Sequence, residues 1–422
     1  MQKVCVLMEE IQALRRAYDA LAAQGLSLDM SRGKPSPEQL SLSRPMLQAA
    51  DMDYTCEDGT DARNYADPYG IPEARRLFGQ LLGAPAAQVI IGGNSSLNLL
   101  CDVLTRCMLL GALPDDKPWR EREQVKIICP VPGYDWHFRM LQTLGMQPVP
   151  VATLENGPDM DAVERLALDP DVKGLVCVPM YGNPSGVTYS DEAVRRLAAM
   201  KAAPDFRLFW DNAYCVHPLD PTRPDHLLNI FDACAEAGNP DRAFAFTSFS
   251  KITWPGGGLA GMASSPRSIA RQQELMLYQQ VCHDKMNQLR HVRFLPDLSA
   301  VEQHMAKQAA LIRPKFELVL TTLRRELTGI AEWSEPRGGY FICFRAPIGC
   351  AKRIVSLCAD AGVKLTPAGA AFPFDLDPED SVIRIAPTYP PISELAAAMA
   401  VFVAAVKLAA AEKSQGGTYE PD

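Results

Sequence analysis

Short unbroken apolar runs alternate with stretches of helical spacing through the middle of this chain, and that alternation restricts its fold more than any other feature. The runs cover residues 89–91, 125–129, 174–178, 207–210 and 243–247, and helical candidates lie at 97–110, 136–144, 191–201 and 227–236. A strand that is apolar throughout is buried on both faces, and a connection that holds a helix lets consecutive strands run parallel. The pattern therefore predicts an α/β unit with a mostly parallel sheet flanked by helices. Ahead of it, helices are expected at 8–23, where Leu14, Tyr18 and Leu21 share a face, and at 71–82, opened by Pro72. Beyond Ser299 the texture changes to a long helix at 300–327, then 339–344, a helix at 351–361, an apolar run at 382–386 and a closing helix. This reads as a smaller α+β domain. The expected division is residues 1–60 joining the small domain, 61–299 as the large domain and 300–422 as the small one, with 412–422 a loose polar tail.

At 422 residues the chain can bury a large core without metals or disulfides. It carries 42 Lys and Arg against 50 Asp and Glu, a formal net charge of -8, which argues against non-specific nucleic-acid binding. The 12 cysteines are scattered, with no CxxC pair and no Cys/His cluster at zinc spacing, so no metal site is expected and a reducing compartment fits. The opening MQKVCVLMEE has charges too early for a secretory leader. No stretch is expected to reach the roughly eighteen apolar residues of a membrane span. The expectation is a cytoplasmic protein with no membrane partner.

Several strand ends carry residues with chemical potential. Lys251 follows the run 243–247 in Thr247-Ser248-Phe249-Ser250-Lys251 and precedes Gly256, Gly257 and Gly258. An amine desolvated at a sheet rim can lose its proton and attack a carbonyl, although most lysines are solvated surface charges. Asp211, in Trp210-Asp211-Asn212-Ala213-Tyr214, is either a helix cap or the partner of a protonated ring nitrogen, with Tyr214 able to offer its hydroxyl to the same ring. Asn183, in Tyr181-Gly182-Asn183-Pro184-Ser185-Gly186, sits in a turn signal, yet its amide is also a good donor to a phenolate-like oxygen. Gly92-Gly93-Asn94-Ser95-Ser96 joins a short run to a helix, where hydroxyls and free N–H groups make either a simple cap or an anion cup. Arg384 stands alone in Val382-Ile383-Arg384-Ile385-Ala386. It either snorkels outward from an edge strand or points inward and clamps a carboxylate with its fork.

Taken in order, these segments resemble the fold-type-I, pyridoxal-phosphate-dependent aminotransferases of class I/II, from Ser31 to about Pro390. The details SRGKPSP, GGNSSLNLL, PGYDWHF, YGNPSG, WDNAY, SFSKITWPGGG and DKMNQLRHVRF are similar to the divergent aspartate-aminotransferase-like, MocR-type subgroup. The resemblance implies a large domain with a mostly parallel seven-stranded sheet, a smaller domain, pyridoxal 5'-phosphate as cofactor and a homodimer. It implies that Lys251 binds the cofactor and shuttles a proton, that Asp211 pairs with the pyridine nitrogen, and that Tyr214 and Asn183 meet the ring oxygen. Tyr134 would stack on the ring, with His137 supporting Asp211. Asn94, Ser95, Ser96 and Ser248 would hold the phosphate, joined by Tyr65 from the neighbouring subunit. Arg384 would take the substrate α-carboxylate, with the Gly33 backbone closing over it.

One departure stands out. Many relatives place a phosphate-binding arginine seven or eight residues after the lysine, where this chain has Gly258 and Leu259. Lys34, Lys285 and nearby hydroxyls are the candidate replacements, while Lys285, Arg290 or Arg32 is expected to bind the distal carboxylate of a dicarboxylic amino acid. The implied reaction moves an amino group from aspartate or glutamate to an oxo-acid such as 2-oxoglutarate by ping-pong exchange. Its rivals are another reaction of the same cofactor, β-elimination or decarboxylation, and an effector-sensing regulator. The regulator would need a winged helix ahead of SRGKPSP, and some thirty residues are expected to be too few.

Overall fold

The computed structural model describes residues 2–51 and 53–416. At its centre is one sheet built from β1 (Val89–Ile91), β2 (Lys126–Val131), β3 (Gln147–Leu154), β4 (Gly157–Pro158), β5 (Val172–Cys177), β6 (Arg207–Asp211), β7 (Ala243–Ser248) and β8 (Ala260–Ser264). Their order across the sheet is β1-β8-β7-β6-β5-β2-β3-β4. Strands β1, β7, β6, β5, β2 and β3 point the same way, and β8 and β4 point against them. Side chains alternate between the faces, as strand geometry requires. Leu175, Cys177, Leu208 and Trp210 enter one core, while Val176, Phe209, Phe244 and Phe246 enter the other.

The sheet has eight strands rather than seven. The addition is β4, two residues that fold back on the end of β3. Two strands carry weak sequence signals. In β3, Pro148 and Pro150 interrupt the pattern; β3 pairs along its length with β2 but on its other side only with β4. A largely open ladder edge is where prolines are tolerated. Strand β8 reads Ala-Gly-Met-Ala-Ser, too small to register as an apolar run although every residue is buried. Helices Met160–Ala167 and Pro266–Met276 also went unforeseen.

A second core forms around β9 (Glu332–Trp333), β10 (Ile342–Arg345) and β11 (Val382–Ile385), an antiparallel sheet covered by helices Leu298–Leu327, Ala351–Asp360 and Ile392–Ser414. The N-terminal segment reaches it through Leu28–Asp29, which pairs in parallel with Val363–Lys364. Helix Ile392–Ser414 corrects the expectation about apolar length, since an 18-residue window in it has mean hydropathy 1.9 and is long and apolar enough to cross a membrane. Of that window, 56% is buried inside the fold. The expected loose tail starts later than foreseen. Residues 412–414 are helical, Glu412 accepts from Arg353 Nε at 2.9 Å, and residues 417–422 lie outside the described residues.

Candidate active site

The carboxyl ends of β1, β2, β5, β6 and β7 share one edge of the sheet, where open α/β sheets bind ligands. A cavity of about 600 Å³ opens there. Its wall includes Arg32, Gly33, Ser95, Ser96, Tyr134, Asn183, Asp211, Tyr214, Ser248, Lys251 and Arg384. A larger cavity, about 790 Å³, lies between Thr153, Asn156 and Arg337 and contains none of these groups, so chemistry rather than volume selects the site.

Asp211 is the last residue of β6 and is 3% exposed. His137 Nε2 lies 2.9 Å from its Oδ2, and Oδ1 has no hydrogen-bond partner among the described residues. A buried carboxylate oxygen without a donor is costly, so a donor arriving with a ligand is the natural way to satisfy it. His137 is buried under Tyr134, whose ring meets it edge-on at 4.9 Å.

Lys251 ends the short 3₁₀ turn Phe249–Lys251 that follows β7. Burial pushes its ammonium pKa below the ordinary lysine value; Asp211 opposes that shift and the Arg384 guanidinium adds to it. Its Nζ lies 4.9 Å from the centroid of the Tyr214 ring. The turn is held by side chains from distant segments. Tyr340 donates to the Lys251 carbonyl at 3.3 Å, and Gln39 donates to that Tyr340 hydroxyl at 3.0 Å. His304 and Gln308 hold the Ile252 carbonyl at 2.8 and 3.1 Å. The lysine is thus aimed by a network that its own sequence neighbourhood does not show. Burial raises the Tyr214 pKa well above normal, which keeps its hydroxyl a donor.

Beside Lys251 the wall is a cup of hydroxyls: Ser95, Ser96, Ser248 and Ser250. Ser95 caps helix Ser96–Leu110 without a side-chain cap bond, so the helix's first N–H groups face the cavity end. Ser250 was missed by sequence reasoning; it accepts from Ser248 at 3.1 Å and donates to the Asn94 carbonyl at 2.9 Å. Gly258 cannot carry a longer side chain without movement, because a Cβ there would lie 2.9 Å from the Trp254 carbonyl oxygen and 3.2 Å from the Ser250 nitrogen.

Arg384, on β11, points inward and is 8% exposed, which removes the outward alternative. It donates through Nη1 to Asp135 Oδ1 at 2.9 Å and to Asn183 Oδ1 at 3.3 Å, and through Nε to Thr366 Oγ1 at 3.4 Å. Asp135 and Thr366 also escaped the sequence reading, although Asp135 stands inside the quoted PGYDWHF. Gly33 lies against Phe341, where a Cβ would approach the ring to 2.4 Å, so only glycine lets that backbone come so close. The outer rim brings further cations: Arg32, Lys34, Arg139 and Lys364. Lys34 Nζ sits 3.8 Å from the Tyr389 ring centroid, and Arg139 pairs with Asp375 at 3.0 Å.

Some predicted residues are not on this wall. Asn94 is exposed, with its amide donating to the Pro255 carbonyl at 3.2 Å. Arg290 instead donates to Asn287 at 2.6 Å. Lys285 is 3% exposed and spends its ammonium on the carbonyls of Asn64 and Ala66, the latter at 2.9 Å. Those two residues flank Tyr65, which is 77% exposed.

The sheet order and the residues at its carboxyl edge define an α/β enzyme of the aminotransferase fold. The chain matches the aspartate amino-transferase family model over residues 4–418. It is 42% identical over 403 residues to the aspartate aminotransferase of Corynebacterium glutamicum, covering 94% of this chain and 93% of that one. A crystal structure of an aspartate transaminase from the same organism superposes with TM-score 0.94 at 41% identity, covering 96% and 97% of the two chains. Likeness in fold alone extends to the α-aminoadipate aminotransferase LysN of Thermus thermophilus, complexed with N-(5'-phosphopyridoxyl)-L-leucine, at TM-score 0.74, 19% identity and coverage of 92% and 94%. The chain belongs to the aspartate amino-transferase family and is a transaminase.

Proposed function

We propose that this transaminase uses pyridoxal 5'-phosphate to move an amino group from aspartate or glutamate to a 2-oxo acid such as 2-oxoglutarate, in two half-reactions. The observation that carries the reading is Asp211, buried, backed by His137 and short of one donor, on the same cavity wall as Lys251. The name of the 42% identical relative supports the choice of aspartate. When bound, the cofactor supplies an aldehyde that accepts the amino group and a cationic ring that withdraws electrons.

The chain's own residues then have separable tasks. Asp211 would accept a hydrogen bond from the ring nitrogen through Oδ1 and keep it protonated. Lys251, its amine biased toward the neutral form, would make the covalent attachment and, once released, carry a proton to and from the substrate Cα. Asn183 uses its amide oxygen on Arg384, which leaves its NH₂ to donate to the ring oxygen beside Tyr214. Tyr134 would cover the ring face. Ser95, Ser96, Ser248 and Ser250, with the helix N-terminus behind them, fit the phosphate, and Lys34, which lines the same cavity, is the candidate for its charge. Arg384 would bind the α-carboxylate under the Gly33 backbone.

The proposal includes a cytoplasmic homodimer in which Tyr65 reaches the partner's phosphate. Its support is the exposure of Tyr65 and Tyr278, at 77% and 87%, and the free thiols of Cys56 and the cysteines that follow it. It also includes three parts, residues 1–60, 61–299 and 300–422, supported by the separate apolar clusters around the two main sheets. The test is an absorbance spectrum of purified protein. A visible cofactor band that collapses on adding aspartate, with oxaloacetate formed in step and no ammonia or alanine released, is the expected result. No band, or release of free ammonia or of alanine from aspartate, would reject the reading.

A further inference from the structure

We infer that Asp135 is the resident counter-ion of Arg384, exchanged for the substrate's carboxylate on binding, so that it sets how tightly this site holds carboxylates. The inference rests on the reading of Arg384 as the carboxylate clamp. Asp135 Oδ1 accepts from Arg384 Nη1 at 2.9 Å, and the side chains of Arg384 and Asp135 are only 8% and 16% exposed. Both line the same cavity. A buried guanidinium without an anion would be strongly unfavourable, so some carboxylate must stand there whether or not substrate is present.

The geometry makes exchange the way in. A carboxylate binds a guanidinium best through two neighbouring nitrogens. The Nε side is backed by the Thr366 hydroxyl, itself fixed by donating to the Ser31 carbonyl at 2.6 Å, and the guanidinium lies 5.0 Å from the Phe341 ring centroid. Nη1 is held by Asp135, a group with somewhere else to go. Asp135 is the first residue of helix Asp135–Thr143, and the preceding Tyr134 makes no side-chain cap bond. The positive end of that helix would receive the displaced carboxylate. Two carboxylates sharing one guanidinium would repel each other, so leaving is favoured over sharing.

The test measures succinate, a dicarboxylate with no amino group, binding calorimetrically to the cofactor-loaded protein. Asp135→Asn should tighten succinate by about tenfold, because nothing charged then has to leave. Asp135→Glu should return the dissociation constant toward that of the unaltered protein. In a structure of the unaltered protein with succinate, Asp135 should have moved beyond ion-pair distance of Arg384. Unchanged or weaker binding by Asp135→Asn, or an Asp135–Arg384 pair that survives in the complex, would overturn the inference. Arg384→Ala separates the two levels. If it binds succinate as well as the unaltered protein, the clamp reading itself fails; if it loses succinate while Asp135→Asn changes nothing, only the exchange fails.

Discussion

The two walls of the cavity are built on different physical terms. The inner wall, with Asp211, Lys251 and Asn183, hangs from the ends of three parallel strands, with Asp211 and Asn183 buried and Lys251 half-buried. Its backbone is fixed by side chains such as Tyr340 and His304. The outer rim, with Arg32, Lys34, Arg139 and Lys364, is drawn from a loop, a helix and a short strand far apart in the chain, and all but the half-buried Lys34 are exposed. Buried groups are few, fixed and electrostatically strong, whereas exposed ones are screened and replaceable. The inner wall is therefore suited to the chemistry and the rim to the choice of substrate.

That contrast can be broken by mutation. The largest effect belongs to Lys251→Ala, which should lower transamination by at least about 10⁴-fold, the scale of losing a nucleophile. A residue that merely packs would lose far less, which steady-state assay with aspartate would reveal. Asp211→Ala should cost about 10² to 10³ in kcat, comparable to removing a buried electrostatic donor or acceptor aimed at developing charge. His137→Ala should lose less than Asp211→Ala, since it acts through that carboxylate. At the rim, Arg32→Ala should reduce the preference for aspartate over alanine by no more than about fivefold, as befits an exposed charge. Arg290→Ala should leave it unchanged; equal effects from the two variants would show that the rim does not select substrate.

A smaller effect concerns stability. Because burial lowers the Lys251 pKa, the unfolded chain binds more protons at this position than the folded one. The resulting destabilisation is full below the lowered folded pKa and fades as pH climbs through it toward the ordinary value of about 10.4. Lys251→Met should therefore raise the Tm of cofactor-free protein at pH 7 and raise it less near pH 10. A gain that grows with pH would contradict the assignment.

The inner wall was legible in the sequence because strand ends announce themselves. An apolar run followed by Asp211-Asn212 or by Ser250-Lys251 locates a carboxylate or an amine at a sheet edge. The seven strands of the expectation became eight because β4 is two residues long, and β3 and β8 were hidden by prolines and by small side chains. The rim was poorly legible. Lys285 and Arg290 look like free cations in a basic stretch, yet one is consumed by backbone carbonyls and the other turns to Asn287. Asp135 and Arg384 are separated by 249 positions, so no local pattern could pair them.

The account turns on Lys251 being the group that bonds the cofactor. Treating the cofactor-loaded protein with borohydride fixes that bond, and peptide mass mapping then locates the added mass. A phosphopyridoxyl label on the peptide containing Lys251 is the predicted result. A label on any other lysine, or no label in protein that retains the visible band, would contradict it.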